Sequence, residues 1–123
     1  MEFIIKETKQ LSYYQYLSQN KYRKYITNKG RAYKEKLQGI FKEEMKDKEM
    51  LTGKLSIKFV FEFDNKRAND LDNFIKPILD SMSGILFQDD RQIYHLEASK
   101  KDGCEKNNTV IYLCSIPTYQ PNS

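Results

Sequence analysis

The clearest alternation in the chain runs through residues 54–63, where Leu55, Ile57, Phe59, Phe61 and Phe63 take turns with Lys54, Ser56, Lys58 and Glu62. A period of two puts the first set on one face, so the segment reads as a strand buried on one side and open on the other. Upstream the period lengthens. Tyr33, Leu37, Ile40, Phe41 and Met45 recur at helical spacing over residues 31–48 with lysines and glutamates between them, and Thr27 or Asn28 stands where a cap is needed. A second helical stripe, Leu71, Phe74, Ile75, Ile78, Leu79 and Met82, follows the polar turn at 64–69 and ends at Gly84. Pro77 lies inside that stripe, removes a backbone donor, and is expected to weaken or kink the helix. Residues 2–6 read as a first strand. Residues 92–100 and 109–116 read as two more, joined through Asp102-Gly103 and Asn107-Asn108 in what looks like a hairpin. Residues 10–26 have no clean period and read as a long loop, and from Pro117 onward the chain reads as a loose tail.

The order strand, helix, strand, helix, strand, strand implies an α+β layer: one mixed, mainly antiparallel sheet with helices packed on one face. A length of 123 residues fits a single domain over 1–123 with one modest core, and no repeat, low-complexity tract or linker divides it. No apolar run reaches membrane-spanning length and residues 1–6 lack the apolar stretch of a signal peptide, so the expectation is a cytoplasmic protein with no membrane partner. Two cysteines, Cys104 and Cys114, make no disulfide framework, and with His95 as the single histidine there is no zinc ligand set. The cysteines read as ordinary reduced thiols. His95 reads as a packed or surface residue of a strand, since nothing beside it completes a catalytic pair.

The net charge of +4 matters less than its distribution. Residues 21–34 hold Lys21, Arg23, Lys24, Lys29, Arg31 and Lys34 with no acid among them, interleaved with Tyr22, Tyr25 and Tyr33. Such a segment suits a phosphate backbone or stacking on unpaired bases. A solvated, tyrosine-rich loop accounts for the same residues equally well.

Against this basic background the acids are concentrated in Asp70-Leu71-Asp72-Asn73-Phe74-Ile75-Lys76-Pro77-Ile78-Leu79-Asp80 and in the turn Gln88-Asp89-Asp90-Arg91-Gln92. So many carboxylates together are unfavourable without a neutralising cation, and hard oxygen ligands on a phosphate-attracting protein suggest Mg²⁺ or Mn²⁺. On one helix Asp70 and Asp72 would stand roughly 200° apart. With Asp70 extended or capping and Asp72 in the first turn, they converge at the helix start, where the partial positive charge favours them. Lys76 follows Asp72 at i+4 and reaches the same face, Asp80 lies one turn on, and a strand starting at Arg91 could return an acid of the turn to the helix start. A site so built would hold one or two ions for phosphodiester hydrolysis, with Lys76 adding positive charge at the transition state. Spacing alone leaves a plainer reading open: a helix cap at Asp70, a surface pair of Asp72 with Lys76, and a turn at Asp89-Asp90.

The run from Asn69 to Asp80, with Gly84 and then Asp89-Asp90-Arg91-Gln92-Ile93 at the right distance, closely resembles the RusA family of Holliday junction resolvases. Its pattern is a D-L-D-N-x-x-K-x-x-x-D-A-L segment, a D-D-x-Q turn and a later lysine, which Lys100 or Lys101 fills here. Residues 29–37 are similar to the family's first helix start, so the likeness covers most of the chain. It implies a small homodimeric, Mg²⁺-dependent endonuclease, often carried by phages and prophages, that resolves four-way DNA junctions by paired symmetric nicks in recombination and repair. Carried onto this sequence, Asp70, Asp72 and Asp90 would be the catalytic, metal-holding acids, Lys76 the essential lysine and Asp89 a supporting residue. Branched DNA would be met by Lys21, Arg23, Lys24, Lys29, Arg31, Lys66, Arg67 and Lys100. A junction is approximately two-fold symmetric, which two symmetry-related subunits match. The chain departs from the family in lacking prolines over residues 11–25 and in having Ser81-Met82-Ser83 where an Ala-Leu pair is common. Three rivals stand beside this reading: a nuclease of flaps or replication forks, a non-catalytic DNA-binding or regulatory domain, and a hydrolase of small nucleotides.

Overall fold

In chain order the computed structural model has β1 (Glu2–Ile5), α1 (Tyr13–Tyr16), β2 (Leu17–Gln19), β3 (Lys24–Ile26), α2 (Asn28–Glu44), β4 (Leu55–Glu62), α3 (Asp72–Met82), a 3₁₀ turn (Asp90–Gln92), β5 (Ile93–Lys101) and β6 (Asn108–Ser115). It describes residues 1–67 and 69–117; of the tail expected from Pro117 onward, residues 118–123 lie outside the described residues.

The strictly alternating segment is β4, and it lies inside a four-stranded sheet ordered β1-β6-β4-β5. β4 runs antiparallel to β6 and parallel to β5, and β1 is antiparallel to β6, so the sheet is mixed and mainly antiparallel as expected. One expectation fails. β5 and β6 are consecutive in sequence but do not form a hairpin, because β4 lies between them. Two features explain this. A strand followed by a helix and a second strand favours parallel pairing, which β4, α3 and β5 adopt. The connection after β5 is then fastened across the end of β4: Gly103 N–H donates to the Asn65 carbonyl at 2.9 Å, Cys104 N–H to Phe63 at 2.8 Å, and Asp64 N–H to Asn107 Oδ1 at 3.0 Å.

α2 and α3 cover one face of the sheet. Tyr33, Leu37, Phe41 and Met45 from α2 and Phe74, Ile78, Leu79 and Met82 from α3 share one core with Phe3, Ile5, Leu55, Ile57, Phe59, Phe61, Ile111 and Leu113. Phe59 stacks on Phe61 with ring centroids 5.7 Å apart, and Phe74 meets Phe63 edge-on at 5.0 Å. That edge contact holds the start of α3 to the end of β4, and burying a phenyl ring of this size contributes about 1.5–3 kcal/mol. Among the described residues no helix lies over the opposite face, and Ile4 and Tyr112 are exposed there.

The expected long loop at 10–26 is instead α1 followed by the two-stranded hairpin of β2 and β3. Its signals are local and polar, hence invisible to a hydrophobic period. Ser12 and Gln15 form a reciprocal capping box, and Asn20 Oδ1 accepts the N–H groups of Tyr22 and Arg23 at 2.9 Å each. Thr27 caps α2, which begins three residues before the expected start at Arg31 and ends at Glu44, short of the expected Lys48. α3 runs on through the buried Pro77 and stops before Gly84, whose φ of +85° reverses the chain.

Candidate active site

α3 opens with residues that leave their carboxylates free. Its N-cap is Leu71, in helical conformation and without a side-chain hydrogen bond, so Asp70 is not the cap that simple spacing allowed. Asp70 and Asp72 are both exposed, and neither side chain has a hydrogen bond or ion pair among the described residues. The loop leading to them is fixed from below. Asn65 Oδ1 accepts from Arg67 N–H at 3.0 Å and from Asn69 Nδ2 at 3.2 Å, and the Lys100 ammonium donates to the Asn69 carbonyl.

One turn further along, Lys76 does not pair with Asp72. Its ammonium lies 3.1 Å from Asp80 Oδ1 and 3.1 Å from Asp90 Oδ2, bridging α3 to the 3₁₀ turn. Burial pulls this ammonium towards neutrality, but the hydrogen bonds and charges of Asp80 and Asp90 outweigh it and hold the pKa above the ordinary lysine value.

Asp90 reaches α3 because the turn carrying it is clamped. Asp89 Oδ1 accepts the backbone N–H of Arg91 at 2.8 Å and its Nε at 3.3 Å, a cap that lowers the Asp89 pKa through the Arg91 backbone N–H first and the guanidinium second. Gln92 closes the same box. Its Oε1 accepts from Gln88 and Asp89 N–H at 2.9 and 3.2 Å, while its Nε2 donates to the Leu51 and Gly53 carbonyls, each at 3.1 Å. Asp89 is thus a structural support for its neighbour, and Gln92 ties both to the segment before β4.

Asp72 and Asp80 are two turns apart on α3, Asp90 is joined to that helix through Lys76, and Asp70 precedes it; among the described residues no three His, Cys, Asp or Glu side chains stand as a ligand group for a metal ion. The donor set fits a hard divalent cation in kind, since the two carboxylates at the α3 start are uncommitted and the third, Asp90, already accepts a cation, the Lys76 ammonium.

The basic candidates fall into two groups. Lys21, Arg23 and Lys24 project from the β2–β3 hairpin, and Lys29 and Arg31 from the first turn of α2; all are exposed. Lys66 and Arg67 are exposed on the loop before α3, whereas Lys100 is engaged beneath that loop. The hairpin and α3 are joined through α1. Its last residue, Tyr16, is fully buried, and its carbonyl accepts from Thr27 N–H at 3.0 Å.

A model of the endodeoxyribonuclease RusA family matches residues 11–113 of the 123. The chain belongs to that family. A search of curated proteins found no match. In this RusA-family nuclease the D-L-D-N run is the uncapped start of α3, the lysine that follows is the bridge to Asp80 and Asp90, and the D-D-x-Q turn is the clamped 3₁₀ turn. Among the described residues no helix is long and apolar enough to cross a membrane. Three contributors went unassigned from the sequence. Asp80 is legible as the i+4 partner of Lys76, and Gln92 is visible only as a letter of a motif. Nothing in the local sequence connects Tyr16 to α3.

Proposed function

We propose that this RusA-family protein is a Mg²⁺-dependent endonuclease that resolves four-way DNA junctions as a homodimer, by paired symmetric nicks in recombination and repair. The observation that carries the reading is the Lys76 bridge: a protonated ammonium shared by Asp80 and Asp90, one turn from two carboxylates with no partner of their own. Asp70, Asp72 and Asp90 would hold the ion, with Mn²⁺ as a substitute. Bound there, Mg²⁺ would supply Lewis-acid polarisation of the scissile phosphate and a water of lowered pKa. Lys76 is protonated at neutral pH and turns from Asp90 to a non-bridging phosphate oxygen, where it stabilises the charge that develops during displacement. Asp89 and Gln92 keep Asp90 facing α3 throughout. The hairpin and α2 start bring Lys21, Arg23, Lys24, Lys29 and Arg31 to the DNA backbone.

The dimer has a matching surface. Among the described residues β5 is an edge strand of nine residues, and Tyr94 and Leu96 are exposed on it. An unpaired edge of that length is a template for a second strand. Antiparallel pairing of β5 with its copy about a two-fold axis at Leu96 sets His95 opposite Glu97 of the copy and Tyr94 opposite Ala98 of the copy. The pairing is self-complementary in hydrogen bonding, because His95 Nε2 and Glu97 Oε1 already lie 3.0 Å apart within the chain. A two-fold axis perpendicular to the sheet leaves both α3 helices on the same side, so two acid clusters face one DNA junction.

Cleavage of a labelled synthetic four-way junction by the wild-type chain and by Asp72→Asn, with and without Mg²⁺, tests the reaction. Paired nicks that need Mg²⁺ and vanish in the variant, with binding retained, support it. Tight binding without cutting under any divalent metal points to a DNA-binding domain, and faster cutting of flaps or forks to another branched substrate. Sedimentation of Leu96→Asp tests the interface: a monomer is expected, and an unchanged dimer refutes the β5 pairing.

A further inference from the structure

Beside the start of α3 lies a polar cavity of about 290 Å³, at the lower end of the range for small-molecule sites. The most buried polar residue lining it is Gln10, only 3% exposed. Its Nε2 donates to the Glu62 and Asn108 carbonyls, each at 3.0 Å, which commits both amide hydrogens. Its Oε1 is buried and accepts no hydrogen bond among the described residues. A buried amide oxygen without a donor is costly, and native folds keep few of them. Tyr16 Oη and Thr109 Oγ1 are in the same state, but neither residue lines this cavity.

Two asparagines of the lining supply the complement. Asn65 Oδ1 is taken by Arg67 N–H and Asn69 Nδ2, and Asn107 Oδ1 by Asp64 N–H, so the Nδ2 atoms of Asn65 and Asn107 are the groups left to donate. Phe63 and Phe74 close the apolar side, and Lys9 and Arg67 are the exposed cations of the lining. Asp64 also lines the cavity, which sets its interior against a bare anion and leaves a phosphate to those two cations. Asn69 is part of the wall and Asp70 follows it directly, so an occupant lies next to the first acid of the α3 start.

One buried acceptor, two amide donors and aromatic walls match the edge of an unpaired nucleobase rather than a phosphate. We infer that this cavity is a subsite for one unpaired nucleotide of the branched DNA beside the cut, an inference that deepens the nuclease reading and rests on it. Gln10 Oε1 accepts from the exocyclic amino group of adenine or cytosine, Asn65 and Asn107 donate to the ring nitrogen next to that group, and Lys9 and Arg67 meet the phosphate. Guanine and thymine present a carbonyl where the amino group belongs, so Oε1 would face a second acceptor, and Gln10 is the residue that determines the preference. Taking a base out of its stack costs least where pairing is already interrupted, as at a branch point.

The test is a set of four-way junctions that differ only in the nucleotide on the 5′ or the 3′ side of the cut, which is adenine, cytosine, guanine, thymine or an abasic residue. At one of these two positions the wild-type chain should cut the adenine and cytosine junctions about tenfold faster than the other three. Equal rates at both positions, or faster cutting with guanine or thymine, overturn the inference. Gln10→Met keeps the length of the side chain without the acceptor and should bring the rates together, with a melting curve to check its fold; a folded variant that retains the full preference refutes the role of Gln10. If that variant does not fold, the wild-type series decides by itself. Should the wild-type chain cut no DNA, the nuclease reading fails, and titration of the ¹⁵N-labelled protein with dAMP, dCMP, dGMP and TMP decides the subsite separately. Shifts of the Gln10 side-chain amide signals with dAMP and dCMP, at concentrations where dGMP and TMP give none, support it. No shift, or equal shifts with all four, overturns it.

Discussion

Gly30 and Gly39 lie in the same helix, and alanine is expected to act on them with opposite sign. A Cβ on Gly30 would stand 2.4 Å from the Tyr16 carbonyl oxygen and 3.1 Å from both Ile26 Cγ2 and Thr27 Oγ1. The nearest obstacle is backbone and is itself engaged, accepting Thr27 N–H at 3.0 Å and Thr27 Oγ1 at 3.2 Å. Thr27 Oγ1 also donates to the Gln15 carbonyl at 2.7 Å. Gly30→Ala must therefore push α1 away from α2 and weaken two or three hydrogen bonds of about 1 kcal/mol each. Against this stands a helix-propensity gain of at most about 1 kcal/mol, less in the first turn. The balance is a loss of about 1–2 kcal/mol. At Gly39 a Cβ meets nothing within 4 Å, so Gly39→Ala keeps only the propensity gain and stabilises by about 0.5–1 kcal/mol. For a domain of this size the two melting temperatures should differ by roughly 10 °C, read by circular dichroism. Gly30→Ala should also weaken junction binding, because α1 carries the hairpin with Lys21, Arg23 and Lys24, while Gly39→Ala should not. Two alanines that stabilise equally would refute the close approach of α1 to α2.

Lys76→Ala should cut junction cleavage by roughly 10²–10³-fold while leaving junction affinity nearly unchanged, as measured by single-turnover kinetics beside a binding titration. The Lys76 ammonium should titrate above 10.5 in a heteronuclear NMR titration, and Asp80→Asn with Asp90→Asn should bring it below that value, since burial alone then acts on it. Because its folded pKa is raised, the stability Lys76 contributes is complete below about pH 10.5 and is lost as the pH climbs through the higher folded value. Gln92→Ala removes four hydrogen bonds of a partly solvated clamp and should cost about 2 kcal/mol in urea unfolding, with a fall in cleavage rate as Asp90 loses its fixed turn.

Elements with a strong period were legible, and their pairing was not. The stripes of α2, α3 and β4 follow directly from Leu37, Phe41, Phe74, Ile78 and the alternating phenylalanines, because burial on one face selects residues at the period of the element. Strand order is a different kind of information. β5 and β6 are adjacent in sequence and carry turn residues between them, so a hairpin was the nearest inference. What places β4 between them is the βαβ preference together with bonds from Asn65, Phe63 and Asp64 to the connecting loop, and these partners are about forty residues away in sequence. α1 and the β2–β3 hairpin escaped for the opposite reason. They are too short to show a period and rest on the Ser12, Gln15 and Asn20 side chains.

The site shows the same divide at the scale of one side chain. Lys76 has an aspartate four residues away in each direction, and an acid on the N-terminal side is intrinsically the better helical partner, which favours Asp72. The folded chain chooses Asp80. The tie is broken by Asp90, a residue from beyond α3 that adds a second carboxylate on the C-terminal side, so that the ammonium gains two partners by turning away from the helix start. Freedom of Asp72 is therefore a tertiary property, supplied by the 3₁₀ turn and the Gln92 clamp behind it. Asp90→Asn removes the tie-breaker and leaves Lys76 to divide itself between Asp72 and Asp80. Its expected signature is a stabilising coupling of about 0.3–0.5 kcal/mol between Asp72 and Lys76 in a double-mutant cycle, absent in the wild-type chain and in Asp89→Asn, where the bridge to Asp90 persists. An Asp72–Lys76 coupling identical in all three proteins would mean that Lys76 is held by the helix alone and that Asp90 plays no part in keeping the carboxylate at the start of α3 free.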